Sequence, residues 1–238
     1  MSTAEGAPPD YGTEFLEWLR TATERAWNDY PERTLADFQR AGVGGTTWRR
    51  GTRWAAGLSD AEIDSAERRY GLRFPSEYRL FLRQLHTTTP RLGGARFKDD
   101  VTLRWIEDPG FFDWRHDDAA IVAARGDVLE GLVFDVENNV LWPSSWGARP
   151  DRAEARRARL ENLLGSAPQL IPIVGHRYLL PVAPHAVLSV VQSDIIVYGG
   201  DLRTFLLAEL SSLLGITDDP AWSNVRVTDV PFWGELVQ

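Results

Sequence analysis

The chain lacks cysteine entirely, and lysine occurs once, as Lys98, among its 26 basic residues. The missing cysteines exclude disulfide bonds and thiolate metal ligands. No apolar run approaches the roughly 20 residues that a membrane-spanning helix needs. The N-terminal residues also lack the basic flank and apolar run of a signal peptide. These absences favour a cytoplasmic protein with no membrane partner.

The chain also has little positive charge to offer a polyanion. Its net charge is −8, whereas a nucleic-acid-binding protein needs a basic face, so we expect no nucleic-acid partner. Residues 99–137 hold eleven carboxylates against three arginines, which equals the whole net charge of the chain. We call this segment the acidic window. Such a segment favours a basic partner, because opposite charge raises the rate of association.

Apolar residues at helical spacing predict an α-helix over residues 13–28 and a second, short helix that begins at Pro31. A Gly-rich connector follows. We interpret residues 1–57 as an N-terminal helical extension and residues 58–238 as the main domain.

After Pro90 the sequence changes to short β-like runs. We predict strands in "VTLRWI", "AAIVAA", "GLVFDV" and "VLWP", the last two paired as a hairpin around Asn138–Asn139. Four later runs, "QLIPIV", "RYLLP", "VLSVVQ" and "DIIVYG", predict an antiparallel meander. A helix that ends at Gly165 precedes the meander, and a helix capped by Asp201 follows it. The predicted fold class is α+β, with a mixed, mostly antiparallel sheet packed with helices.

The segment "LSDAEIDSAERRYGLRFPSEYRLFLRQLH", residues 58–86, predicts two helices joined by a tight corner. Ser59 and Glu62 have the spacing of a capping box. Gly71 supplies a left-handed residue that ends the first helix, and Pro75 opens the second. Apolar spacing places Tyr78, Phe81 and Leu82 on one buried face, against Ile63 and Leu72.

This corner resembles the signature of the SUKH superfamily, "GLxxPxxYxxFL", and the resemblance extends over roughly residues 58–215. The matching residues are Gly71, Leu72, Pro75, Tyr78, Phe81 and Leu82. The chain departs from the family at residues 86–90, where "HTTTP" stands in place of an Asn-Gly-Gly turn. The resemblance implies an α+β domain without known catalysis. Members are fungal regulators of cell-wall synthesis and bacterial immunity proteins that neutralise toxins.

Catalytic and metal-binding patterns are scarce. The four histidines show no metal-ligand spacing, and no nucleophile motif such as G-x-S-x-G is present, so we expect no catalysis, no metal and no cofactor. One alternative remains in "FDVE", because Asp135 and Glu137 on a strand would share a face, as the acid/base pair of a glycan-active enzyme does. The other interpretation makes them solvent-facing residues of a hairpin.

The stretch "EDPGFFDWRHDD" in the acidic window combines aromatic and acidic residues, as the hot spot of a protein interface does. Alternatively, it is a solvated acidic loop whose aromatic residues fix it to the core. As a partner-binding site it would have anchors at Phe111, Phe112 and Trp114 and a charged rim of Asp108, Asp113, Asp117 and Asp118.

Together with the resemblance, this stretch predicts an immunity-type protein, monomeric or homodimeric, that neutralises a basic toxin domain. The alternative is a cytoplasmic regulatory or scaffold protein of the cell-wall-synthesis type.

Overall fold

The computed structural model describes residues 7–99, 101–139, 141–216 and 225–238, and its fold class is α+β, as predicted. No helix within these ranges is both long enough and apolar enough to cross a bilayer. The helices are α1 (Thr13–Asn28), α2 (Leu35–Ala41), α3 (Asp60–Tyr70), α4 (Ser76–Gln84), α5 (Asp118–Asn138), α6 (Ala153–Ser166), α7 (Leu202–Glu209), α8 (Ser211–Leu214) and α9 (Trp233–Leu236), with a 3-10 turn at Ser144–Trp146.

The strands form antiparallel sheets in the order β1-β4-β5, β2-β3 and β6-β7-β8-β9. Their bounds are β1 (Gly45–Thr47), β2 (Arg53–Trp54), β3 (Thr88–Thr89), β4 (Leu92–Phe97), β5 (Leu103–Asp108), β6 (Ile171–Val174), β7 (Arg177–Leu179), β8 (Val187–Val191) and β9 (Asp194–Gly199).

The two-helix corner is confirmed in detail. Glu62 Oε2 accepts the backbone N–H of Ser59 at 2.8 Å, and Ser59 Oγ accepts the N–H of Glu62 at 3.3 Å, which closes the capping box at the start of α3. Gly71 ends α3 with φ of 63°, and α4 begins directly after Pro75. The buried residues of α4 are Tyr78, Phe81 and Leu82, and they share one core with Ile63 and Leu72.

The segment that precedes residue 58 packs on the rest of the chain through its helices and short strands. Helix α1 has the predicted bounds, and its Phe15, Leu19 and Trp27 lie in the main core. Strand β1 pairs with β4, and β2 pairs with β3. Helix α2 begins at Leu35 rather than at Pro31, because Thr34 forms a capping box with Asp37 and fixes the start there.

The predicted antiparallel meander is confirmed as the four-stranded sheet β6-β7-β8-β9. Both of its outer strands are covered by other parts of the chain. Phe112 donates its backbone N–H to Ile173 O of β6 at 3.0 Å, and Gln238 donates to Ile195 O of β9 at 3.0 Å. Each outer strand is therefore engaged at one position by another segment of the chain.

The strands predicted in "AAIVAA" and "GLVFDV" are wrong, because both segments belong to the 21-residue helix α5. Its buried residues Ile121, Ala124, Val128, Leu132 and Val136 recur every three or four positions, which is a helical spacing. The expected hairpin turn at Asn138–Asn139 is the end of this helix. Helix α6 likewise passes through Gly165 and ends at Ser166. In "VLWP", residue 140 lies outside the described residues, and residues 141–143 form no strand.

Candidate functional site

The three aromatic residues expected to anchor a partner lie in the protein core. Phe111, Phe112 and Trp114 are 0%, 5% and 3% exposed. Phe111 packs against Trp54 and Phe81, with ring centroids 5.0 and 5.8 Å apart. Phe111 and Trp114 are therefore not accessible as partner anchors, because their apolar area is already buried within the chain, and Phe112 keeps only a small accessible area, which borders the groove described below.

Polar contacts also hold this loop against the two-helix corner. Trp114 Nε1 donates to Tyr78 Oη at 2.8 Å, and His86 Nε2 accepts the backbone N–H of Trp114 at 3.0 Å. Burial lowers the pKa of His86 to about 4, so the imidazole is neutral near pH 7 and can act as this acceptor. Arg115 donates to Glu62 at 2.7 Å. The corner therefore positions the loop that follows β5.

Two of the four rim carboxylates are engaged within the loop. Asp117 is 6% exposed, pairs with Arg91, and accepts the backbone N–H of Asp113 at 2.9 Å. The carboxylate of Asp113 lies 3.0 Å from His116 Nδ1 and accepts the N–H of Arg115 at 2.8 Å. Asp117 is therefore a buried structural residue.

The other two rim carboxylates are more accessible. The exposed Asp118 pairs with Arg69 at 2.7 Å and accepts from Tyr70. Asp108 accepts the backbone N–H of Gly110 at 2.9 Å, and its other oxygen lies 3.9 Å from Arg96. Of the four, Asp108 alone lines a groove, described below.

The charge of the acidic window is partly balanced by arginines from outside it. Arg157 pairs with Glu130 at 2.5 Å, Arg156 pairs with Glu137, and Arg49 lies 3.6 Å from Glu107. Asp127 is exposed and has no ion-pair partner among the residues that the structure describes. Fewer carboxylates of the acidic window are therefore unpaired than the sequence alone indicates.

The expected pair of carboxylates in "FDVE" does not form. Asp135 and Glu137 lie on α5, and residues two apart on a helix point about 200° apart around its axis. Burial opposes ionisation of Asp135, but hydrogen bonds from Ser193 and Asn139 outweigh it and lower the pKa of that carboxyl. Within the described ranges, no cluster of three or more histidine and carboxylate side chains could hold a metal ion.

One groove of about 600 Å³ does bring acidic-window residues together with the meander. Strand β5, helix α5 and strands β7 and β8 all contribute to its lining. Its apolar floor includes Ile106, Phe112, Val128, Tyr178 and Val190, and its carboxylates are Asp108 and Asp127, with Arg96 and His176 as the basic or titratable members. We call it the acidic groove. Glu107 also borders the groove from β5, but its side chain projects to the opposite face of the strand, with Trp105, and pairs with Arg49 there.

Strand and helix geometry explain how these residues meet. Ile106 and Asp108 are two apart on β5 and so project from the same face. Gly131 lets α5 approach the sheet closely, since a Cβ there would lie 3.0 Å from Gln192 Cα. An apolar floor with carboxylates suits the aliphatic stem and charged head of lysine or arginine.

Sequence reasoning found Asp108 and Phe112 but missed Asp127 and Glu107 as groove residues. The helical spacing of the apolar residues around Asp127 could have indicated its position, but the strands predicted on either side of it obscured that spacing. Comparison of the chain with protein-family models, with curated proteins and with solved structures finds no match.

Proposed function

We propose that this protein is a non-catalytic binding protein of the immunity type, which neutralises a bacterial toxin by receiving a basic segment of the toxin domain in the acidic groove. The observation that carries the proposal is the pair of carboxylates, Asp108 and Asp127, beside an apolar floor. The resemblance of residues 58–86 to the SUKH signature supports the immunity-type role, because bacterial members of that family neutralise toxins.

The chemistry of the groove favours arginine or lysine as the inserted side chain. The stem of such a side chain packs on Ile106 and Val190, while its head reaches Asp127, whose carboxylate is exposed. Exposed charge pairs contribute little affinity each, but they raise the association rate and make it depend on salt. The apolar floor then governs dissociation, because most affinity differences arise in the dissociation rate.

The test uses toxin domains encoded beside the gene for this protein. Each is co-expressed with the protein to measure protection of growth, and a purified pair is studied by surface plasmon resonance at low and high salt. We expect protection by the wild type. We expect Asp108→Lys with Asp127→Lys to slow association by roughly tenfold or more at low salt and to flatten its salt dependence.

A matched control carries the same charge change on α1. Glu14 and Glu17 are exposed, form no ion pair within the described residues, and do not line the groove. Glu14→Lys with Glu17→Lys should therefore change association much less. Equal slowing in the two variants would exclude the groove as the interface. Failure of the wild type to protect against every neighbouring toxin would contradict the immunity role.

A further inference from the structure

A second pocket, of about 490 Å³, combines cationic and aromatic side chains. It lies across strand β5 from the acidic groove: Trp105 lines this pocket and Ile106 lines the groove, and neighbouring strand residues project to opposite faces. Its arginines are Arg33, Arg49 and Arg50, and its tryptophans are Trp48 and Trp105. We call it the cationic pocket. Its volume falls in the range of about 300–1,000 Å³ that small-molecule sites occupy.

The two tryptophan rings are held in place from behind. The ring of Trp48 packs on the fully buried Trp27, with centroids 4.8 Å apart. The ring of Trp105 contacts Phe38 edge to face at 6.3 Å. Both tryptophans are only half-buried, so each keeps accessible ring area beside the pocket. Rings fixed in this way can stack on a planar ligand without losing much conformational freedom.

The arginines of the pocket are weakly engaged by the protein. Arg33 is exposed and makes no hydrogen bond or ion pair that involves the described residues. Arg50 donates one long hydrogen bond, 3.4 Å, to Tyr30 O. Arg49 lies 3.6 Å from Glu107 in a pair whose side chains are 37% and 58% exposed. Two carboxylates stand against these three guanidinium groups: Glu32, which lines the pocket, and Glu107, which pairs with Arg49.

We propose that the cationic pocket binds a small aromatic anion of the nucleoside-phosphate class. The base stacks on Trp48 and Trp105, as bases do on aromatic side chains in single-stranded nucleic-acid sites. The phosphate engages Arg33 and Arg49, because the guanidinium fork matches phosphate oxygens. A single nucleotide is favoured over a nucleic-acid polymer, because the chain's net charge of −8 repels an extended polyanion. This site is separate from the acidic groove and independent of the proposed function.

The test is isothermal titration of the full chain with adenosine 5′-monophosphate. Adenosine and inorganic phosphate are titrated separately, because each provides half of the proposed contacts. We expect saturable binding of the nucleotide, at least roughly tenfold tighter than either half-ligand. Arg33→Gln should weaken it by roughly tenfold. Trp105→Leu should weaken it as well, with circular dichroism to confirm that the variant folds.

Arg68→Gln is the matched control. Arg68 is an exposed arginine on α3 that does not line the pocket and has no polar partner within the described residues. We expect it to leave nucleotide binding unchanged. The proposal is overturned if no nucleotide binding is seen at millimolar concentration, or if Arg33→Gln and Arg68→Gln have equal effects. If inorganic phosphate binds as tightly as the nucleotide, the proposed stacking of the base on Trp48 and Trp105 is wrong.

Discussion

Arg49 Nη1 and Glu107 Oε1 lie 3.6 Å apart, and the alternation of side chains along β5 places this ion pair on the strand face that also carries Trp105. Arg49 lines the cationic pocket, and Asp108, the neighbour of Glu107 on β5, lines the acidic groove. Loss of the Arg49 charge leaves Glu107 without this partner and makes the electrostatic potential at this end of β5 more negative.

The ion pair predicts the effect of Arg49→Gln on the acidic groove. Without the guanidinium beside Glu107, the groove becomes more negative, so a basic partner should associate about two- to fivefold faster at low salt. Stopped-flow measurement of the association rate checks this. Arg68→Gln is the control, because it changes the net charge by the same amount at a site that does not line the groove. If it speeds association equally, the effect of Arg49→Gln comes from the overall charge and not from the groove.

The two-helix corner predicts a large stability cost for Phe81→Ala. Phe81 is fully buried and contacts the rings of Trp54, Tyr78 and Phe111. Its truncation should lower the free energy of unfolding by about 3–5 kcal/mol, the usual range for a buried phenylalanine. Phe134→Ala is the control, because Phe134 is 48% exposed on α5. Denaturant titration should separate the two variants clearly, and a cost below about 1 kcal/mol for Phe81→Ala would contradict this packing.

The hydrogen bond from Trp114 Nε1 to Tyr78 Oη, 2.8 Å long, predicts a stability effect rather than a binding effect. Trp114→Phe keeps an aromatic ring but leaves the buried tyrosine oxygen without its donor, which should cost about 1–3 kcal/mol. A double-mutant cycle with Tyr78→Phe should give a coupling of about 0.5–3 kcal/mol, because the two residues share the bond. Additive costs would show that the bond contributes nothing.

The corner and the meander were predictable because their signals are local. Ser59, Glu62 and Gly71 mark helix ends through their own backbone requirements. Helix α5 was missed because Gly126 and Gly131 divide it into short, largely apolar runs that resemble strands. Its helical spacing becomes clear only over the full 21 residues.

The acidic groove was only partly predictable, because charge sums along the sequence ignore partners that the fold supplies. Arg91 reaches Asp117, and Arg69 reaches Asp118, although both arginines precede the acidic window. The burial of Trp114 similarly depends on Tyr78, 36 residues earlier. An aromatic residue beside carboxylates is compatible with an exposed binding interface and also with a loop whose aromatic side chains are buried in the core. Only the tertiary packing distinguishes these two arrangements.

The buried carboxylate of Asp135 predicts a pH-dependent contribution to stability. Asp135 is 3% exposed and accepts hydrogen bonds from Ser193 N at 2.7 Å, from Ser193 Oγ and from Asn139 Nδ2. Burial disfavours the charged form, but these hydrogen bonds prevail, so the folded-state pKa lies below the ordinary value of 3.8. A lowered folded-state pKa means that the stabilisation is complete above the ordinary value and is lost as the pH falls through the folded-state pKa.

Asp135→Asn should therefore lower the free energy of unfolding by about 1.5–3 kcal/mol near pH 7, the range for hydrogen bonds to a charged group. The difference between the wild type and this variant should shrink as the pH falls below about 4, because the wild-type carboxyl then becomes protonated and loses the same interactions. Urea titrations at several pH values measure that difference. Asp127→Asn, at an exposed position on the same helix, should show no comparable loss. A difference for Asp135→Asn that stays constant from about pH 7 to pH 3 would mean that a property other than ionisation of the carboxyl makes Asp135 stabilising.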